Sequence, residues 1–168
     1  MNLKRIDLYD ELLREVELYI TRYAKANYPQ AYYRLRSVPG IGEILALVIL
    51  LEINDINRFS KVGKFLSYCR LVKAHKESAG KRTGHSGSKI GNPYLKWAFS
   101  EAAVLFLNKA PEAKVYFKQL EAKHPKGKAL AILSQRLGRA VYHLLKYDKA
   151  FDLKRFLTIG SPAHSSSV

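Results

Sequence analysis

A polar and basic stretch near the middle of the chain carries the residue types best suited to chemistry. Residues 76–97 read KESAGKRTGHSGSKIGNPYLKW, and Ser78 lies there just before Lys81 and Arg82. A phosphodiester drawn into this stretch would meet a hydroxyl nucleophile and cations that can stabilise the transition state. The pattern therefore makes Ser78 a candidate nucleophile for phosphodiester chemistry.

Other chemistries fit the same stretch less well. A nucleotide-binding P-loop needs G-x-x-x-x-G-K-[ST], which GHSGSKIGN does not contain. His75 and His85 have no nearby Asp or Cys to complete a metal site, and no G-x-S-x-G elbow of a serine hydrolase occurs. Ser86 and Ser88 carry the same hydroxyl, and a loop serine commonly only satisfies a turn, so composition alone does not single out Ser78.

The charge of the chain indicates a polyanionic partner. The net charge of the chain is +15. The segment from Arg70 to Lys96 contains seven Lys or Arg residues and only one acidic residue, Glu77. Because such a charge favours binding to polyanions through counterion release, nucleic acid is the leading partner. A protein that binds the ribosome or an acidic membrane could have the same net charge. Apolar side chains are nearly absent from residues 73–89, which predicts a long basic loop or a loose hairpin. The predicted phosphate contacts are Lys73, Lys76, Lys81, Arg82, Lys89 and Lys96.

Cysteine content and hydropathy indicate a reduced, intracellular protein. The single cysteine, Cys69, excludes an internal disulfide and a multi-cysteine zinc site. The longest apolar run, residues 44–51, is far too short to span a bilayer, and the charged N-terminus does not resemble a signal peptide. We therefore expect a cytoplasmic protein without a membrane partner.

The first residues, 1–28, are expected to form a coiled-coil-like helix. Six apolar residues alternate three and four positions apart, which is the seam spacing of a coiled coil. They are Ile6, Tyr9, Leu13, Val16, Ile20 and Tyr23. The seam predicts a homo-oligomer through this helix, but the same stripe could instead pack on its own domain, and the sequence leaves both open.

A tight turn follows, and it resembles a helix-hairpin-helix. Gly40 and Gly42 flank Ile41, so the backbone can turn sharply while Ile41 plugs the gap between two helices. Unpaired N–H groups at the start of the second helix would suit a DNA phosphate, whatever the base sequence. A plain helical turn without a ligand is the alternative.

The remaining sequence predicts helices only. Asn92 and Pro93 form an N-cap followed by proline at the first helical position, and amphipathic helices follow. Residues 29–159 are therefore expected to form one helical domain in an all-α fold. The tail, residues 160–168, is expected to be disordered.

Three stretches resemble a known family. LRSVPGIGEILALVILLEINDINRFSKVGKFLSYCRLV, ESAGKRTGHSGSKIGNPYLKWAFSEAA and KGKALAILSQRLGRAVYHLL are similar to the C-terminal transposase domain of the DEDD-type insertion-sequence transposases related to the Piv invertase. The resemblance covers roughly residues 34–147, and a preceding coiled-coil-like helix is also expected in that family. It rests on the PGIG hairpin, the E-I-x-D-I-x-R-F turn, the serine-glycine-lysine loop and the K-x-G-N-P-x-L helix start, which occur in the family's order and spacing.

This resemblance implies a serine that attacks DNA and forms a covalent phosphoserine link during strand exchange. Counted back from the G-N-P landmark at residues 91–93, the family's serine falls on Ser78. Where the family usually has S-G-G-K, this chain has S-A-G-K, and the departure at Ala79 bears on local geometry rather than on the serine.

The resemblance also implies partners outside this chain. Full-length members place a RuvC-like domain before the coiled coil, and its acidic tetrad binds divalent metal. We therefore expect Mg²⁺ in that domain and no metal or cofactor in this chain. Some members use a guide RNA to choose sites, so the expected partners are DNA, a guide RNA and further copies of the chain. A serine hydroxyl needs a base or metal to activate it, so the chain by itself is expected to be catalytically silent.

Two other interpretations remain open at the level of sequence. The chain could be a helix-hairpin-helix module that binds nucleic acid without doing chemistry. It could also be a coiled-coil assembly domain whose charge is incidental.

Overall fold

A computed structural model of the protein describes residues 2–72, 75–78, 81–85 and 90–158; of 75–78 and 81–85 it describes only the backbone. The described elements are α1 (Asn2–Asn27), α2 (Pro29–Arg36), α3 (Glu43–Ile53), a short 3-10 turn (Ile56–Arg58), α4 (Val62–Tyr68), β1 (His75–Ser78), β2 (Lys81–His85), α5 (Pro93–Lys109), α6 (Pro111–Glu121), α7 (Lys126–Lys146) and α8 (Leu153–Thr158). The predicted all-α fold is confirmed, and the strands add one short ribbon within the basic stretch.

Helix α5 lies at the centre of the core. Leu95, Phe99 and Phe106 on this helix are fully buried, and α3 and α7 pack against it. The sequence of α3, EILALVILLEI, is apolar almost throughout; Ala46 and Ile49 are fully buried, whereas Ile44 and Leu51 remain exposed. Helix α7 instead has an apolar stripe, with Leu133 and Leu137 buried. These three helices form the packed centre of the molecule, which we call the helical platform.

The turn between α2 and α3 packs directly on α5. Gly40 has φ +87°, and a Cβ added there would lie 2.4 Å from the main-chain nitrogen of Phe106 and 2.8 Å from the carbonyl oxygen of Ala102. Only glycine allows both this backbone angle and this close approach. Ile41 is buried beside it, as the sequence predicted.

Helix α1 leaves its apolar stripe largely uncovered. Tyr9, Leu13 and Val16 are all more than half exposed, whereas Ala24 near the end of the helix is fully buried. Packing on its own domain is therefore the wrong explanation for the stripe over most of α1. Oligomerisation through this helix stays a prediction.

The last described helix, α8, was not predicted from the sequence. It has six residues, and only Phe156 of them is buried, against the ring of Phe106 on α5. Its short length gives little periodicity from which to predict a helix. The predicted disordered tail, residues 160–168, lies outside the described residues, and the proposed division into domains stays a prediction.

Candidate nucleic-acid interface

The basic stretch contains an antiparallel ribbon. In its register His75 is opposite His85, Glu77 is opposite Arg82, and Ser78 is opposite Lys81, with an irregularity between His75 and Glu77. Two residues of sequence, Ala79 and Gly80, connect the strands. Of the two structures expected for this stretch, a hairpin is therefore the one observed, with Ser78 at its end.

Most of the predicted phosphate contacts have side chains outside the described residues. Lys76, Lys81 and Arg82 lie on the two strands, of which only the backbone is described. Lys73 and Lys89, like Ser86 and Ser88, lie wholly outside the described residues. Lys96 is exposed on α5, close to where the basic stretch ends.

The two ends of the basic stretch are fastened to each other. The main-chain N–H of Asn92 donates to the carbonyl oxygen of Tyr68 at 2.7 Å, and Nε of Arg70 donates to the carbonyl oxygen of Gly91 at 3.0 Å. Gly91 has φ +106°, and a Cβ there would lie 2.6 Å from the carbonyl oxygen of Tyr68. We call these four residues the ribbon root. The chain segments that precede and follow the ribbon are therefore joined to each other at the end of α4 and the start of α5.

Asn92 joins three helices at the ribbon root. Its Oδ1 accepts from the main-chain N–H of Leu95 at 2.9 Å, which confirms the predicted N-cap of α5. Its Nδ2 donates to Oε2 of Glu52 on α3 at 2.5 Å and lies 3.5 Å from the hydroxyl of Tyr68 on α4. Two motifs quoted from the sequence, the E-I-x-D-I-x-R-F turn and the G-N-P helix start, thus meet in space. No pattern in the sequence indicated this role of Glu52.

Arg58 lies beside this cluster, over two aromatic rings. The carbon of its guanidinium group is 4.6 Å from the ring centroid of Phe59 and 4.5 Å from that of Tyr68. Hydrogen bonds from Asn92 and from Arg58 lower the pKa of the Tyr68 hydroxyl, because both favour the phenolate. The sequence analysis missed Arg58 and Tyr68; the only signal for them was the R-F pair within the quoted turn.

The turn between α2 and α3 ends in an acidic residue. Gly42 is exposed at the start of α3, where the sequence predicted a phosphate contact. The carboxylate of Glu43 lies at the same helix start, where it accepts from the hydroxyl of Tyr32 at 3.3 Å and lies 3.7 Å from Nζ of Lys25. Burial, followed by the charge of Glu43, raises the pKa of Tyr32. A phosphate approaching Gly42 would meet this carboxylate.

A groove beside that turn carries balanced charge. It runs between α1, α3 and α5, and its apolar lining includes Ile44 and Trp97, both at least half exposed. The charged residues along it are Arg14, Glu17, Arg22, Lys25, Glu43 and Glu101. Three cations against three carboxylates do not make this groove a strong polyanion site.

The other reactive groups of the described residues are less suited to catalysis. Burial raises the pKa of the Cys69 thiol far above its ordinary range, which keeps it protonated and unreactive. Among the residues described, no three His, Cys, Asp or Glu side chains lie together as a metal site. No helix in the described ranges is both long and apolar enough to cross a membrane.

Comparison with known proteins gives related insertion-sequence proteins. The chain is 25% identical over 146 residues to "Transposase for insertion sequence element IS1111A" of Coxiella burnetii (strain RSA 493 / Nine Mile phase I), covering 84% of this chain and 40% of that protein. It is 29% identical over 89 residues to "Insertion element IS110 uncharacterized 43.6 kDa protein" of Streptomyces coelicolor (strain ATCC BAA-471 / A3(2) / M145), covering 53% of this chain and 22% of that protein. The chain thus spans less than half the length of these curated relatives.

A family model agrees with these relatives. The model of the Transposase IS116/IS110/IS902 family matches residues 32–118, a range that runs from α2 through the ribbon and its root into α6. More than half of the sequence lies within the match, and the chain belongs to the IS116/IS110/IS902 transposase family.

Proposed function

We propose that this chain is the DNA-binding, nucleophile-bearing part of a transposase, and that Ser78 is the nucleophile. Family membership supports a transposition role. The observation that carries the finer proposal is the register of the ribbon, in which Ser78 and Lys81 are opposite each other beside the two-residue connection. A residue with a hydroxyl opposite a residue with a cation, at the ends of two paired strands, suits an attack on a phosphodiester.

The proposed step is a transesterification. Oγ of Ser78 loses its proton to a base and attacks phosphorus; one phosphorus–oxygen bond of the backbone breaks and releases a hydroxyl end. The phosphoserine ester conserves the bond energy, so a hydroxyl end from another strand can reverse the step and join DNA. Cations near the phosphate stabilise the negative charge that develops.

Activation of the serine is assigned to a partner domain. A serine hydroxyl is a weak nucleophile without a base or metal beside it. The described side chains do not fit a Mg²⁺ site, so no step in this chain is routed through a metal. We propose that an acidic domain of the complete transposase holds the divalent metal. We also propose that the protein acts in the cytoplasm.

The proposed partners are DNA, a guide RNA and a second copy of the chain. We propose that the backbone around Gly40, Ile41 and Gly42 and the cations of the basic stretch hold the DNA backbone without regard to sequence. The exposed seam of α1 supports pairing with a second copy, because Leu13 and Val16 are otherwise left in water.

An adduct assay in the complete transposase tests the nucleophile. Ser78→Ala should abolish the covalent protein–DNA band on a denaturing gel, while duplex binding stays as in the parent. Ser86→Ala and Ser88→Ala are matched controls and should leave the adduct unchanged. An adduct that survives Ser78→Ala removes this serine from the mechanism, and parental DNA binding with no adduct would favour the non-catalytic helix-hairpin-helix module.

A pair of leucine variants tests assembly through α1. Leu13 lies on the predicted seam, whereas Leu8 lies off it; the two side chains are 60% and 54% exposed. Leu13→Glu should shift the sedimentation coefficient to that of a monomer, and Leu8→Glu should not. Equal behaviour of the two variants would contradict pairing through the seam.

A further inference from the structure

We propose that Arg58, Lys61 and Lys64 form a second site for the DNA backbone, which we call the α4 edge. All three residues are exposed. They lie on the 3-10 turn and the start of α4, and residues 56–72 contain no acid at all. None of them belongs to the predicted contacts of the hairpin turn or the basic stretch. The proposal deepens the proposed function and rests on it.

Arg58 is held ready for an anion. The carbon of its guanidinium group lies over the rings of Phe59 and Tyr68, 4.6 and 4.5 Å from their centroids. The group also donates a hydrogen bond to the hydroxyl of Tyr68, and its contact from Nη2 to the carbonyl oxygen of Glu52 is long at 3.5 Å. Stacking fixes a side chain that would otherwise sample many rotamers, and a planar fork of donors matches phosphate geometry. An exposed arginine fixed in this way loses less entropy when it binds.

The nearby carboxylates are engaged elsewhere. Oε2 of Glu52 accepts from Asn92 at 2.5 Å, and Oδ1 of Asp55 accepts from the main-chain N–H of Asn57 at 2.8 Å. Where side chains are described, neither carboxylate forms an ion pair with a cation of the α4 edge. Because none of the three cations is ion-paired among the described side chains, the edge can bind an anion from outside the chain.

The edge is continuous with the ribbon root. Helix α4 ends at Tyr68, whose ring contacts Arg58 and whose carbonyl oxygen accepts from the N–H of Asn92 at 2.7 Å. A DNA strand that follows the basic stretch to its root would thus reach Arg58 next. A polyanion with regular phosphate spacing can contact the stretch and the edge together, and this favours duplex DNA over a single small anion.

Salt-dependent binding to a short fluorescein-labelled DNA duplex of arbitrary sequence tests the α4 edge. The variant Arg58→Gln/Lys61→Gln/Lys64→Gln should lower the slope of log affinity against log salt by about three, since each phosphate contact contributes roughly 0.9. At about 0.15 M salt this corresponds to an affinity loss on the order of 100-fold. The matched control, Lys109→Gln/Lys114→Gln/Lys149→Gln, removes the same charge from exposed positions elsewhere and should leave the slope nearly unchanged.

Two further variants separate binding from folding. Lys61→Gln/Lys64→Gln leaves the stacked Arg58 intact and should lower the slope by about two without changing the melting temperature. A parental slope in this double variant overturns the proposal, even if Arg58→Gln proves unstable. If Lys81→Gln/Arg82→Gln/Lys89→Gln weakens DNA binding and the edge variants do not, the α4 edge does not bind DNA. The proposed function would then still stand. If the parent binds no duplex, both proposals fall.

Discussion

The α2–α3 turn and the ribbon root both depend on a glycine with positive φ, but the charged side chains beside them differ. Each has a glycine with positive φ, Gly40 or Gly91, whose missing Cβ lets it approach the main chain of another segment. The first turn ends at the carboxylate of Glu43, which has one cation, Lys25, beside it. The root contains Arg70 and has Arg58 beside it, with one carboxylate, Glu52, bound to Asn92. Rigid glycine turns are thus common to both regions, and the neighbouring charges distinguish the better polyanion site.

A glycine pattern predicts the shape of a turn better than it predicts phosphate binding. A PGIG pattern predicts a tight turn because glycine allows the backbone angle, and this holds here. Phosphate binding additionally requires favourable charge nearby, and a turn pattern carries no information about it.

Replacing Gly40 should have the largest effect on stability. In Gly40→Ala the new Cβ would meet three main-chain atoms of α5 within 2.8 Å at a φ that L residues rarely adopt. We expect a loss of about 3 kcal/mol or more in the free energy of unfolding, measured by urea denaturation. Gly63→Ala, where a Cβ meets nothing within 4 Å, is the control and should be nearly neutral. Equal midpoints for the two variants would show that the turn can move away from α5.

Removing the side chain of Asn92 should loosen the ribbon root without unfolding the protein. Asn92→Ala loses the cap of α5 and the bond to Glu52, which together stabilise the fold by about 2 kcal/mol. Thermal melting measures the loss, and exchange of the main-chain N–H groups of Leu95 and of residue 92 should accelerate in the variant. Asn108→Ala, exposed near the end of the same helix, is the control. Unchanged exchange would mean that the root is held by its main chain alone.

Neutralising Glu43 should test whether the α2–α3 turn contacts DNA. If the α2–α3 turn contacts DNA, Glu43→Gln removes a repulsion of about 1 kcal/mol at ~4 Å in water and strengthens duplex binding roughly fivefold. Fluorescence anisotropy measures this, and Glu112→Gln, in the first turn of α6, controls for net charge. Equal gains in the two variants would indicate that the α2–α3 turn does not touch DNA.

The smallest effect concerns the ionisation of Tyr68. Arg58→Gln should raise the pKa of Tyr68 toward that of an ordinary tyrosine, because one of the groups favouring the phenolate is lost. Ultraviolet difference titration against Tyr68→Phe isolates this hydroxyl. Since the folded protein ionises Tyr68 before the unfolded chain does, this group adds stability as pH rises through the folded pKa toward about 10. An unchanged pKa of Tyr68 in Arg58→Gln would show that Arg58 does not stabilise the phenolate.

The sequence was most informative where the cause of structure is local. The N-cap at Asn92 follows from an amide side chain next to proline, and the helical span of α1 follows from its apolar period. The ribbon was harder to predict, because a stretch so poor in apolar residues shows no clear alternation; the hairpin was only one of two expectations. Helix α8 is too short to show a period of its own.

The candidate site divides in the same way. The sequence singled out Ser78 and the cations around it, but gave no reason to connect Glu52 with Asn92, which are 40 positions apart. It also placed a phosphate at Gly42 without weighing the carboxylate of Glu43 next to it. Contacts between residues so far apart depend on how α3, α4 and α5 pack, and no local pattern encodes that packing.

By itself the sequence determined the helical class, the start of α5, the buried Ile41 and the basic character of the central stretch, because capping, side-chain volume and charge act within a few residues. The tertiary structure decided where the two ends of that stretch meet, which arginine is stacked beside them, and that the stripe of α1 stays exposed. These features depend on which surfaces the packed helices bring together and which they leave in water, and that is settled only when the whole core has formed.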